Sequence, residues 1–173
     1  MESAVLIGAF LKAILFLTVT VRVPQRGTPS ACAALAVHVP TRLRDQERAM
    51  ATTVLAIGID PAFADLSAFT QLTPELIRNH IDAQIDQLRT HGYDAEACLV
   101  DLGDTAEQVV VSALQSKRFD CVVIGAGLRE PASQLLLFEN ILNLVHRLAP
   151  EASICFNTTP ADTMDAVRRW VAP

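Results

Sequence analysis

From Thr53 onward the chain alternates short apolar runs with longer stretches in which apolar residues recur every three or four positions. The first pattern reads as buried strand and the second as a helix with one apolar face. Thr53–Ile59 is the first run, closed by Asp60-Pro61. After a loop, Thr73-Pro74 supplies a helix N-cap with proline in the first position, and Ile77, Ile81, Ile85 and Leu88 share one face before His91-Gly92 ends the helix. Tyr93–Asp101 is the second strand. Asp104-Thr105-Ala106-Glu107 has capping-box spacing ahead of Val109, Val110, Ala113 and Leu114. Phe119–Gly125 is a third, almost unbroken apolar strand. Pro131 opens a third helix running to Leu148, and Ala152–Phe156 is the fourth strand. Thr159-Pro160-Ala161-Asp162 caps a last helix that carries Met164, Val167, Trp170 and Val171.

Four strand–helix units in series predict an α/β fold, because parallel strands need crossover connections and those are right-handed. The expectation is a three-layer sandwich with a parallel four-stranded sheet in the order 2-1-3-4, Rossmann-like or flavodoxin-like. In that order the topological switch lies between the first and third strands, and ligands bind beyond the carboxyl ends. The residues brought there are Gly58-Ile59-Asp60 and Gly125-Ala126-Gly127, flanked by Asp101 and by Asn157-Thr158-Thr159.

Charge divides the chain into unequal parts. Residues 1–50 hold six Lys/Arg against three Asp/Glu, whereas residues 51–173 hold eight against sixteen. The second part is thus a single acidic α/β domain, a poor electrostatic match for nucleic acid. Residues 1–50 form an apolar and basic leader. Its run from Ala4 to Val21 carries Lys12 near the middle, and Glu2 stands where a secretory signal has basic residues. Either this is a targeting or membrane-associated segment, or Met50 rather than Met1 is the true start. A membrane enters the picture only if the leader is retained.

Cys98, Cys121 and Cys155 fall inside predicted strands among apolar neighbours and read as small core residues. No CxxC pair or Cys/His metal spacing occurs, so no metal site is expected, and a reducing cytoplasmic setting fits best.

An anion site is the most economical chemistry for the rim. Gly125 and Gly127 would let backbone approach a ligand, and the helix after them would present free amides. Arg129 adds a bidentate phosphate contact, and the hydroxyls of Thr158 and Thr159 add donors. Asp60 and Asp101 would bind a ribose or base, act as bases, or merely close turns. The bland alternative assigns the glycines to packing and Thr159 to capping. A usual dinucleotide site is disfavoured, since the first strand runs into Ile59-Asp60-Pro61-Ala62-Phe63 with no glycine turn. Catalytic residues are unknown: Ser133, Thr158 and Cys155 are nucleophiles by position alone, with no placed histidine to activate them. No cofactor can be named.

Phe119–Asn157 resembles the last part of universal stress proteins: a strand ending in glycine, a long helix, an alanine-proline turn (here Ala149-Pro150) and an apolar strand. Ile59-Asp60 looks like that family's nucleotide-contacting aspartate. The resemblance implies that Asp60, Gly125 and Gly127 line a nucleotide pocket. This chain has Leu135-Leu136-Leu137-Phe138 where the family's ATP-binding members carry glycine and a hydroxyl residue. The chain also looks like small uncharacterised bacterial-type Rossmann-like proteins, which implies no activity.

Two functions therefore compete. One is binding of a small phosphorylated or nucleotide-like ligand at the strand ends, in a regulatory role. The other is a non-enzymatic interaction or dimerisation module, because Leu135 to Leu148 places apolar residues nearly all round the helix predicted over 131–148. That surplus predicts a homo-oligomer.

Overall fold

The computed structural model describes residues 51–173 apart from 65, 67–70 and 104; the leader and Asp104, expected as a helix cap, lie outside the described residues. Strand β1 (Thr53–Ile59) is followed by helix α1 (Pro74–Thr90), β2 (Asp94–Val100) and α2 (Ala106–Ser116). Then come β3 (Cys121–Ile124), a short α3 (Ala126–Arg129), α4 (Leu135–Leu148), β4 (Ser153–Phe156) and α5 (Thr163–Arg168). The four strands form one sheet in the order β2-β1-β3-β4. All three pairings are parallel, with Val54 opposite both Ala95 and Cys121, and Val123 opposite Cys155. This is the expected three-layer sandwich.

Alternation along the strands builds two cores. Leu55, Ile57, Val122 and Ile124 point to one face and meet Val110 and Leu114 of α2 with Ile141 and Val145 of α4. Val54, Cys121, Val123 and Cys155 point to the other and meet Ile85 and Leu88 of α1 with Met164, Ala166 and Val167 of α5. Each strand's side chains alternate faces, so a strand clothed on both sides must be apolar at every position, as Cys121–Ile124 is.

The ends of α1 follow the sequence closely. The Thr73 hydroxyl accepts the Leu76 amide at 3.2 Å, and Gly92 takes the left-handed conformation at φ 92° that lets the chain leave the helix. Other expectations fail at particular residues. The third helix does not open at Pro131: a single 3-10 turn, Ala132–Gln134, precedes α4 at Leu135. Val109 is exposed on α2, where Ala106, Val110 and Leu114 form the buried stripe. Trp170 lies beyond α5 and is 62% exposed. Among the described residues no helix is long and apolar enough to cross a membrane.

Candidate functional site at the carboxyl edge

Parallel strands end together, and the order β2-β1-β3-β4 brings the predicted residues onto one rim. The Asp60 amide bonds the Val100 carbonyl at 2.8 Å, placing Asp60 beside Asp101. The Gly125 amide bonds the Ile57 carbonyl at 2.9 Å, next to Gly58. A Cβ on Gly125 would stand 3.3 Å from the Ile57 carbonyl oxygen and 3.7 Å from Gly58 Cα, so this glycine serves the close passage of β1 and β3. Gly127 differs. It is exposed, and a Cβ there would meet only Ile59 Cδ1, at 4.0 Å.

Asn157, just past β4, joins the two halves of the rim. It is buried; its Oδ1 accepts the Ala126 amide at 3.0 Å and its Nδ2 donates to the Thr163 hydroxyl at 2.9 Å. The first free amide of α3 is thereby taken by a side chain of the domain. Nor does a long helix follow Gly127, since α3 has only four residues and its dipole is correspondingly small.

The charged groups are engaged in the same way. Asp60 accepts the Ala62 amide at 3.0 Å and pairs with Arg78 of α1; the amide bond and the guanidinium hold its carboxyl below the usual range. Asp101 accepts the Gly103 and Thr105 amides and, at 3.0 Å, the Thr105 hydroxyl. The Thr158 and Thr159 amides both donate to Asp162, at 3.0 and 2.7 Å, as does the Thr158 hydroxyl at 2.9 Å. Burial pushes the Asp162 carboxyl up, but these bonds outweigh it and hold the group below its ordinary value. Arg129 donates to the Asn157 carbonyl and to Glu130, each at 3.2 Å, and lies over the Phe156 ring at 5.8 Å. Its Nε is buried and has no hydrogen-bond partner.

The structure thus gathers Asp60, Asp101, Gly125, Gly127, Arg129, Thr158 and Thr159 on one edge. As arranged, most of their donors and acceptors satisfy one another. Four carboxylates, from Asp60, Asp101, Glu130 and Asp162, stand among three guanidiniums, from Arg78, Arg129 and Arg169, the last donating to the Phe156 carbonyl at 2.8 Å. Sequence reasoning overlooked Arg78, which lies four residues past Pro74 and so one helical turn inside α1. It also treated Asp162 only as a cap, although an acid three residues after Thr159 is the pattern that claims amide and hydroxyl donors together.

Apolar side chains share this edge. Phe63 follows β1, Leu102 follows β2, Leu76 lies in the first turn of α1, and Leu135 and Leu136 open α4; all are exposed, Leu136 by 74%. A separate hollow of about 360 Å³ opens at the opposite edge, between the ends of α2 and α4, lined in part by Leu114, Lys117, Phe119 and Leu148. Lys117 there is already held at 2.7 and 2.8 Å by Asp94 and Glu96. Among the described residues no group of three or more His, Cys, Asp or Glu is placed to hold a metal ion.

No protein-family model, curated protein or solved structure matches the chain.

Proposed function

We propose that the domain is a non-enzymatic interaction module that pairs with a second copy of itself through the outer face of α4. The observation that carries this reading is the pair Leu135-Leu136 at the start of α4, exposed by 52% and 74%. Leu136, Asn140, Asn143 and Arg147 follow one another at helical spacing along that face, all exposed, with Glu139 exposed beside them and Asn140 donating to the Glu107 carboxylate of α2 at 2.9 Å. The surplus predicted from sequence is smaller than the helix pattern implied. Leu137, Phe138 and Leu142 pack against the core, which leaves Leu135 and Leu136 as the apolar anchors.

A second reading, a small anionic ligand at Gly127 and Arg129, rests on the open space beside Gly127 and the unpartnered Arg129 Nε. The carboxylates of Glu130 and Asp162 weigh against it, because an anion would have to displace Glu130 from the guanidinium. Native mass spectrometry of freshly purified protein separates the readings. A dimer abolished by Leu136→Glu supports the first. A bound small molecule lost in Gly127→Val supports the second. A ligand-free monomer at tens of micromolar overturns both.

A further inference from the structure

We infer that Cys121 and Cys155 form a redox-closable dithiol that staples the edge strand β4 to β3. Their sulfurs lie 3.5 Å apart. Cys121 is opposite Ser153 and Val123 is opposite Cys155, so the two cysteines sit diagonally on neighbouring strands with both side chains on the α1/α5 face. Both are free and buried. To reach a disulfide bond of about 2.05 Å the sulfurs must approach by about 1.5 Å, and because diagonal cross-strand neighbours start about 7–8 Å apart at Cα, the edge strand β4 must shift along β3 as the bond closes.

The pair is also asymmetric. The two thiols share a hydrogen bond in which either sulfur can donate; with Cys121 donating, that bond and the Arg169 charge pull the Cys155 thiol down against the effect of burial. Cys121 is pushed up by that same bond and by burial. Cys155 is accordingly the attacking sulfur and Cys121 the resolving one.

The oxidant is a small peroxide. The Cys155 thiolate attacks one peroxide oxygen, the O–O bond breaks, and the departing hydroxide leaves as water after taking a proton. Cys121 sulfur then attacks the Cys155 sulfenic sulfur; the S–O bond breaks, the S–S bond forms, and the Cys121 proton leaves with the second water. Two thiols lose two electrons and one peroxide becomes two waters. Access comes through α5. Met164, Ala166 and Val167 of this six-residue terminal helix lie over Cys155, and short terminal elements open locally at less cost than a central strand.

The test treats the folded full-length chain with hydrogen peroxide, alkylates free thiols in denaturant, and maps the peptides. The expected product is a reductant-reversible Cys121–Cys155 link, formed at least about tenfold faster than in the urea-unfolded chain because the fold supplies the proximity. Cys155→Ala should abolish the link and leave Cys121 alkylatable, whereas Cys98→Ala should leave the link intact. The inference is overturned if both thiols stay alkylatable while Cys32 is oxidised. Over-oxidation of one sulfur without a link, or linking no faster than in the unfolded chain, overturns it equally.

Discussion

At the scale of single residues, the rim is held by side chains that replace missing backbone partners. Asp162 carries the largest share, because it gathers two amides and two hydroxyls from Thr158 and Thr159. Removing it in Asp162→Ala should cost about 0.5–2 kcal/mol at neutral pH, the scale of a lost helix cap. The pH dependence has a definite sign. Asp60, Asp101, Asp120 and Asp162 all have carboxyls held below their ordinary value in the folded chain. Below about pH 4 the unfolded chain therefore binds more protons than the folded one, and stability present at neutral pH is lost as pH falls further. Urea midpoints measured from pH 7 down to 3 should be nearly flat until about 4 and then drop, and Asp162→Ala should make the drop shallower. An acid limb as steep in the variant as in the parent would show that Asp162 is not stabilised this way. Which residues sit on the rim was legible in the sequence, since strand ends in a 2-1-3-4 sheet are predictable. How they are engaged was not, because Arg78 reaches Asp60 and Asn157 reaches Ala126 across elements that no local pattern relates.

At the scale of elements, periodicity placed all four strands and the helices α1 and α2, of which α1 begins with a side-chain cap and α2, with Thr105 at its N-cap position, does not. It failed where several weak signals overlapped. Pro131 is a good helix opener by rule, yet the chain first makes a 3-10 turn, and only Leu135 begins the α-helical ladder. An all-round apolar helix likewise cannot be divided into faces from sequence, because Leu137 and Phe138 differ by one position and each has apolar companions at helical spacing. In the structure both are half-buried against the same core, and the fully buried positions are Ile141 and Val145. Charge at Leu137 or Phe138 would therefore not separate folding from association. Ile141→Ala should cost about 2–5 kcal/mol through the cavity it leaves. Leu136→Ala should change stability by no more than about 0.5 kcal/mol, as surface substitutions do. Urea denaturation of both variants checks this; equal losses would mean that Leu136 is not on the outer face.

At the scale of the whole molecule, the question is what the domain needs in order to fold. Both cores are built from residues between Val54 and Val167, and the chain's last residues close back on the sheet. The Tyr93 hydroxyl donates to the Val171 carbonyl at 3.0 Å, and the Thr52 hydroxyl donates to the Ala172 carbonyl at 2.7 Å. The start of β1 is secured as well: the Thr53 amide and hydroxyl each lie 2.8 Å from the Asp120 carboxylate. A chain of this length buries roughly two thirds of its unfolded surface, enough for one cooperative core. Residues 51–173 expressed alone should thus unfold in urea in a single transition, with fluorescence and circular dichroism coinciding. Trp170 makes this a searching probe, because it follows α5 directly and reports whether the C-terminal closure forms with the rest. Should the two signals separate, or should the fragment be soluble only when residues 1–50 are restored, the leader would belong to the fold. A single transition with the same midpoint in the fragment and the full chain would place the whole folding information in the four strand–helix units.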